Sequence, residues 1–529
     1  MTEILFALTL ISTALAVGTC AVKYMHFFQL NSYKFAEHKG WLKRNIGPLS
    51  FTAILALLAA LGSLINVIGS LIGGCFGFIL TISVCLVYAA VSKPKPKRLT
   101  KKPLVYTARV KRMLVTEAIV SAGFIGLWVM LFPRHLLAFG VGILLLAAPY
   151  LNLVANFINS PIEKAIANYY VNDAKRLLRS HPSLKVVGIT GSYGKTGTKY
   201  ALTALLSEKF DVLMTPASYN TPMGVVKTIR SSLRATHEIF VCEMGAKYVG
   251  DINELCRIVD PDIGIITSVG AQHLETFGSL DAIIGTKFEL ADYLTKKNCP
   301  TVVGFDNENI KNEIKSRNTR DFIRCGVGDA DYRISDVSAD ERGTSFTLTL
   351  ADGTVIPLTV ALLGAHNVSN IACAVAVAHR LGMTPDEIRL AAKKIRSAPH
   401  RLEMSMHGKD ILIDDAYNAN PAGTRAALDA LSLFEGCKII ITPGMIELGD
   451  ESAAFNRRLG SGAAGVCDYI ILVGEKQTAP IALGAREIGF DEARLKIFER
   501  VQDAIDFAFS LSTPDRKIIL IENDLPDNY

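Results

Sequence analysis

The chain has 529 residues, half of them hydrophobic, with 56 lysines and arginines against 50 aspartates and glutamates. The charge is unevenly placed: residues before 160 carry fifteen basic and three acidic side chains, leaving 41 basic and 47 acidic for the rest, so the overall +6 is no nucleic-acid footprint. That length suits three or four domains, and ten scattered cysteines with no Cys-x-x-Cys pair argue against a disulfide framework or a zinc site.

The first third is a series of apolar runs. They cover 4–22, 49–91 with a Gly-rich break at 69–74, 113–132, and 136–158, the last two flanking Pro133 and Arg134. A membrane span needs about 20 apolar residues, so the spacing predicts about five transmembrane helices within 1–160. The first run lacks a basic start and a small-residue cleavage site, which favours a retained span over a signal peptide. Lys23, Lys34, Lys39, Lys43 and Arg44 lie between the first and second spans, and nine basic residues lie in 92–112. Two spans separate these loops, so both face the cytoplasm, and the short connections at 69–74 and 133–135 face out. The protein is then a multi-pass cell-membrane protein whose remaining domains are cytoplasmic. Glu117, just inside the fourth span, reads as an interfacial residue or as an intramembrane functional acid. Residues 161–180, opening on Pro161, read as an amphipathic connector lying on the membrane surface or packing on the next domain.

From 184 the pattern changes to alternating strand and helix. Strands are predicted at 185–190, 211–214, 238–242, 263–267, 301–305 and 322–326, and helices at 195–208, 222–233, 281–295 and 367–380. This is a mostly parallel sheet covered on both faces. A segment at 331–360, with Gly343 and Asp352-Gly353 turns, reads as a small antiparallel insert. A second alternation, with strands at 410–414, 438–442, 469–473 and 517–521, gives a separate Rossmann-like α/β domain. The predicted organisation is 1–160 transmembrane, 161–396 a P-loop parallel-sheet ATPase domain, and 397–529 C-terminal.

The richest stretch is Lys185-Val186-Val187-Gly188-Ile189-Thr190-Gly191-Ser192-Tyr193-Gly194-Lys195-Thr196. An apolar strand enters a glycine turn that opens a helix, the layout of a phosphate-binding loop. Backbone N–H groups of Gly191, Ser192 and Gly194 face the anion, Lys195 reaches the outer phosphates, and the Thr196 hydroxyl ligates Mg²⁺. The spacing is Thr-Gly-x-x-Gly-Lys-Thr, since Ile189 stands where the strict motif has its first glycine. A turn that binds nothing is disfavoured by the strand and helix flanking it. Glu243, His273, Lys287 and Glu289 follow strand C-termini, where open α/β sheets bind ligands. Singly, each is an ordinary loop acid or structural residue. Together with Thr196, Glu243 supplies the hard oxygens that Mg²⁺ requires.

Eight motifs in one order carry a resemblance: Thr190–Thr196; Glu243-Met244-Gly245-Ala246; Gln272-His273-Leu274-Glu275-Thr276-Phe277-Gly278-Ser279; Lys287-Phe288-Glu289; Gly364-Ala365-His366-Asn367-Val368-Ser369-Asn370; His400-Arg401-Leu402-Glu403; Asp414-Asp415-Ala416-Tyr417-Asn418-Ala419-Asn420-Pro421; and Gly444-Met445-Ile446-Glu447-Leu448-Gly449-Asp450. From about 160 to its end the chain resembles the Mur ligases, ATP-dependent amide-bond ligases. The resemblance implies that Lys195, Lys287, His273 and Arg401 are catalytic. It implies Mg²⁺ at Thr196, Glu243 and His273, with Lys287 carbamylated beside the metal. Asn367 and Asn370 are then nucleotide contacts, Arg401 reaches the γ-phosphate, Asp415 holds the ribose, and Tyr417 and Asn420 line the same motif. The implied cofactors are ATP and Mg²⁺. The implied partners are a cell-wall peptide precursor, nucleotide- or lipid-linked, an amino acid or D-Ala-D-Ala-like dipeptide, and the lipid bilayer. The C-terminal domain is expected to close on ATP.

Three departures bear on the substrates. Apolar spans stand in place of the family's soluble uridine-nucleotide domain. The resembled branch carries a Lys-Gly-Ser stretch near its end, which is missing here; this chain ends in the acidic tail Glu522-Asn523-Asp524-Leu525-Pro526-Asp527-Asn528-Tyr529. Asn456 stands where that branch carries a histidine. A ligase of another polymer, such as poly-γ-glutamate, and a membrane scaffold that only binds nucleotide are the competing readings.

Overall fold

The computed structural model describes residues 2–46, 50–70, 76–94, 102–272, 274–317, 322–417, 419–446, 448 and 451–523. Two compact units, Met1–Asn168 and Tyr169–Leu525, divide these residues.

The first unit is helical: α1 (Thr2–Leu30), α2 (Phe35–Asn45), α3 (Phe51–Ser70), α4 (Phe76–Val91), α5 (Ala108–Leu131), α6 (Leu137–Ala147) and the start of α7 (Leu151–Arg179). Four segments, Thr2–Leu30, Phe51–Gly69, Ala108–Leu131 and Arg134–Arg179, are long and apolar enough to cross a membrane, and α4 is a shorter apolar helix. The fifth apolar run is not one straight helix, because a 3₁₀ turn at Ala148–Tyr150, with Pro149 inside it, separates α6 from α7. Their inner faces meet in one core that includes Cys20, Tyr24, Phe28, Cys85, Tyr88, Met113 and Leu145. Polar groups inside it are partnered locally. His38, fully buried, lies between the amides of Asn31 and Asn152, at 3.2 and 3.1 Å. Glu117 is 2% exposed, and neither carboxylate oxygen has a hydrogen-bond partner among the described residues. It is therefore a buried acid of the helical unit.

The connector expected to begin at Pro161 does not exist as a separate element. Pro161 lies inside α7, which runs unbroken from Leu151 to Arg179. Proline is favoured in a helix's first turn, which is why it read as a start; here the helix accommodates the missing N–H in its interior. The last turns of α7 belong to the second unit. Ala174 is buried in its core, and Asp173 accepts a 2.8 Å bond from Arg230, so of the two sequence readings these turns fit packing on the α/β unit.

The second unit holds two sheets. The strands are β1 (Lys185–Thr190), β2 (Val212–Met214), β3 (Ile239–Glu243), β4 (Ile263–Ile266), β5 (Thr301–Gly304), β6 (Phe322–Val327), β7 (Tyr332–Asp340), β8 (Gly343–Thr349), β9 (Val355–Val360), β10 (Glu403–His407), β11 (Asp410–Asp415), β12 (Cys437–Thr442), β13 (Tyr469–Val473), β14 (Leu495–Phe498) and β15 (Lys517–Glu522). The first sheet has order β2-β3-β1-β4-β5-β6-β7-β8-β9, parallel through β7 and antiparallel in the β7-β8-β9 insert. Val187 and Ile189 of β1 face the core beneath α8 (Lys195–Leu206), while Val186 faces the core under α9 (Pro222–Ser232) and α10 (Asp251–Val259). The alternation buries both faces, as a covered parallel sheet requires. After α10 come α11 (Leu274–Phe277), α12 (Leu280–Thr295), α13 (Glu308–Arg317), α14 (Val368–Arg380) and α15 (Pro385–Ala392). The second sheet has order β10-β11-β15-β12-β13-β14, with only β10 antiparallel. It is flanked by α16 (Pro421–Ser432), α17 (Ser452–Ala464), α18 (Glu475–Glu487) and α19 (Val501–Ser510).

Candidate nucleotide and catalytic site

The site grows from the C-terminal ends of β1, β3 and β4. Strand β1 ends at Thr190, and the chain turns through Gly191 (φ +152°) and Gly194 (φ +82°) into α8. A Cβ on Gly191 would collide with the Thr267 hydroxyl, and one on Gly194 would lie 2.5 Å from Asn370 Oδ1. Glycine is required at both by conformation and by crowding. Ser192 is tied to the turn after β4: its N–H donates to Ser268 O (2.7 Å) and its hydroxyl to Gly270 O (2.9 Å). Tyr193 OH donates to Ala271 O at 2.7 Å.

Lys195 folds back over the turn and donates to Gly191 O (2.6 Å) and Ser192 O (3.0 Å). Burial lowers its pKa to about 8, with Glu243 opposing the shift and Arg401 adding to it. Thr196 Oγ1 lies 3.2 Å from each carboxylate oxygen of Glu243, which ends β3 and is 1% exposed. This is a buried pocket of hard oxygens, and its donor set fits Mg²⁺. Lys287 on α12 is buried, its ammonium 5.8 Å from the Phe277 ring centroid. Burial lowers its pKa to about 7, reinforced by the Lys195 charge and opposed by Asp251 and Glu289. Glu289 itself is spent on α10, accepting from Gly250 N (2.7 Å) and Asn253 N (2.9 Å). His273 lies outside the described residues, as does Asn418.

Asn370 is brought against the glycine turn, whereas Asn367 donates to Leu363 O at 3.0 Å. Arg401 stacks over the Tyr417 ring at 4.2 Å. Asp415, at the end of β11, accepts from Leu402 N at 3.2 Å, and Asn420 caps α16 through Gly423 N at 2.9 Å. Asp415 is in register with Glu522 on β15. Burial raises both carboxyls, Asp415 to about 6 against the pull of Arg401 and of its bond with Glu522, and Glu522 further through the charge of Asp415. The Asn456 departure is a backbone staple: it is buried, accepts from Met445 N at 2.8 Å and donates to Met445 O at 3.0 Å.

Sequence reasoning missed two residues. Lys199, fully buried, pairs with Glu243 Oε2 at 3.0 Å, and Asn220 donates to Glu243 Oε1 at 3.1 Å. The available signal was the spacing of Lys195 and Lys199, one helical turn apart on one face.

Comparison with known proteins agrees with this architecture. The Mur ligase middle domain profile matches residues 189–378, and that of the Mur ligase glutamate ligase domain matches 400–522. The chain is similar to UDP-N-acetylmuramoyl-tripeptide–D-alanyl-D-alanine ligase of Bacillus subtilis, 32% identical over 52% of this chain and 60% of that protein. The protein of the same name from Escherichia coli is 31% identical over 57% of this chain and 67% of its own length. The chain thus spans between about 60% and two thirds of these relatives. The crystal structure of MurF ligase from Thermotoga maritima in complex with ADP superposes with a TM-score of 0.59 and 27% identity, over 68% of this chain and 80% of that one. With two family profiles matched in order on the parallel-sheet unit that bears the glycine turn, the chain belongs to the Mur ligase family.

Proposed function

We propose that the protein is a membrane-held, ATP-dependent ligase that joins an amino acid or a D-Ala-D-Ala-like dipeptide to a carboxylate of a cell-wall peptide precursor. The observation that carries this reading is the glycine turn, Lys195, Thr196 and Glu243 gathered at the ends of β1 and β3 in a Mur ligase fold. Relatives named for adding D-alanyl-D-alanine to a UDP-linked tripeptide support the substrate class.

The chemistry follows from charge. A carboxylate is a poor electrophile, so it attacks the γ-phosphorus of ATP and becomes an acyl phosphate, releasing ADP. An amine then adds to the acyl carbon, and phosphate leaves. Both reactants of the first step are anions, so the site must neutralise them. Lys195 leaves the loop carbonyls it now caps and meets the outer phosphates. Arg401 offers its guanidinium from the C-terminal sheet, close enough to act on Lys195 electrostatically. Thr196 and Glu243 would hold Mg²⁺, which supplies further positive charge beside the phosphates. Asn370 borders the turn, Asp415 stands at the strand ends where ribose hydroxyls need an acceptor, and Tyr417 braces Arg401. Asn367, Asn420 and His273 complete the proposed constellation. Lys287 is proposed to be carbamylated: its amine adds CO₂, loses a proton and becomes an anion. That removes a buried positive charge beside Lys195 and creates hard oxygens. A carbamate resonance after ¹³C-bicarbonate labelling, lost in Lys287→Gln, checks this.

The deciding experiment is phosphate release from ATP with three acceptor sets: UDP-muramoyl-tripeptide plus D-Ala-D-Ala, a lipid-linked peptide plus D-Ala-D-Ala, and glutamate alone. Release with either of the first two supports the reading and names the carrier. Release only with glutamate replaces it with polymer synthesis, and no release with any set leaves a nucleotide-binding scaffold.

A further inference from the structure

Lys199 is a fully buried cation of the site. It lies one turn beyond Lys195 on α8, its side chain fully inaccessible. Its ammonium is 3.0 Å from Glu243 Oε2 and also donates to the carbonyl of Ala217. Glu243 is held from other sides as well. Asn220 Nδ2 donates to Oε1 at 3.1 Å, Thr196 Oγ1 is equidistant from both oxygens, and Glu243 N donates to Thr215 Oγ1 at 3.1 Å. Lys199 thus ties the phosphate-loop helix to the end of β3 and to the turn after β2.

A buried ammonium beside a metal-binding carboxylate opposes cation binding by its charge, so its placement calls for a compensating role. Its geometry supplies one. The two oxygens of Glu243 are not equivalent: Oε2 faces a fixed lysine, and the donors bonded to Oε1 among the described residues are the Asn220 amide and the Thr196 hydroxyl. We propose that Lys199 is a positioning residue that pins Oε2, so that Glu243 meets the nucleotide-bound metal through Oε1 alone. Single-oxygen ligation suits Mg²⁺, which demands few, strictly placed ligands, and disfavours Ca²⁺, which gains from two-oxygen carboxylate ligation and a looser shell. Lys199 is therefore a determinant of metal selectivity. This rests on Glu243 being a metal ligand.

The test is calorimetric binding of ADP to the full chain in detergent micelles, with Mg²⁺ or Ca²⁺ as the only divalent ion. In Lys199→Met, the Ca²⁺-supported affinity relative to the Mg²⁺-supported one should rise about tenfold. Lys199→Arg, which keeps a charged donor to Oε2, should stay within about threefold of the wild-type ratio. An unchanged ratio in Lys199→Met, or the same change in Lys199→Arg, overturns the proposal. Should Lys199→Met fail to fold, Lys199→Gln, whose amide is too short to reach Oε2, is read the same way. Glu243→Gln separates the two readings. If it leaves Mg²⁺-supported binding intact, the metal assignment of Glu243 is wrong. If it weakens that binding while Lys199→Met leaves the ratio unchanged, only the role of Lys199 falls.

Discussion

Lys195 caps the carbonyls of Gly191 and Ser192, and the proposed function gives it a second job, carrying charge to the phosphates. Only the second matters to turnover. Lys195→Ala should lower ATP turnover by about a thousandfold, the scale of losing one preorganised electrostatic contact. Its thermal midpoint should stay near wild type, and substantial residual turnover would refute the role. The Asp415–Glu522 pair carries a pH signature. Burial raises both carboxyls, and the charge of Asp415 raises Glu522 further, so the folded state holds protons that the unfolded chain releases. The Asp415 share of this stability is complete below the ordinary carboxylate range and is lost as pH rises through about 6. At neutral pH the pair is a liability. Glu522→Gln should therefore stabilise the protein by about 1 kcal/mol at pH 7.5 and leave it unchanged near pH 4. Thermal unfolding at the two pH values checks this, and a destabilised variant at pH 7.5 would exclude it. Residues with motif spacing were legible from sequence: Lys195, Thr196 and Glu243 come together where the strand-turn-helix pattern put them. Lys199 and Asn220 were not. A lysine in the second turn of a helix is ordinarily solvated, and its one-turn spacing from Lys195 does not by itself aim it at Glu243. Asn456 was legible only as a departure from the family pattern, and the structure shows its side chain stapling the backbone of Met445.

The element that concentrates function is the β1–turn–α8 unit, and its two classes of glycine predict opposite outcomes. Gly194 has φ +82° and Asn370 Oδ1 within 2.5 Å of where a Cβ would sit. Gly194→Ala should distort the turn, weakening nucleotide binding by at least about tenfold and costing about 1–2 kcal/mol of stability. Gly197, three residues on in the helix, has open space around its missing Cβ. Gly197→Ala should be neutral, or stabilising by up to about 1 kcal/mol through helix propensity. Nucleotide titration and thermal unfolding of the pair compare the two directly; equal effects would mean that the turn conformation is not what the fold requires there. Strands were the easiest elements to read, because a buried parallel strand is a short apolar run bounded by turn residues. Predicted β1 and β13 coincide with the observed bounds, and most other strands lie within a residue or two. Short helices such as α10, α13 and α15 escaped attention because eight to ten residues give too few turns for a clear period. Pro161 misled for a different reason: its local preference for a helix start was overridden by the continuity of α7.

At the scale of the whole molecule, charge and packing bear on one question, the membrane topology of residues 1–168. The basic loops at 23–48 and 92–112 argue for the cytoplasmic side. Contacts inside the helical unit group its ends in the same way. His26 bonds to the carbonyl of Lys102 at 2.7 Å, and the Gln29 amide exchanges bonds with Val105, at 3.0 and 2.9 Å. The end of α1 is thus joined to the basic loop before α5. At the other end, Glu3 at the start of α1 pairs with Arg134 in the connection after α5. One end of the bundle therefore holds the basic loops and the other holds residues 3 and 134. If the positive end faces the cytoplasm, Arg134 faces out. An odd number of crossings would then put the proposed nucleotide site on the side where ATP is. In a cysteine-free background, Arg134→Cys should react with a membrane-impermeant maleimide on intact cells, and Lys34→Cys only after permeabilisation. Arg134 is well exposed and Lys34 partly so, which makes both usable reporters. Lys195→Ala added to either variant should leave the labelling pattern unchanged, because its site lies in the other unit. The reverse pattern would put the nucleotide site outside the cell and remove ATP as its substrate. Labelling of both cysteines on intact cells would mean that these helices do not separate two compartments.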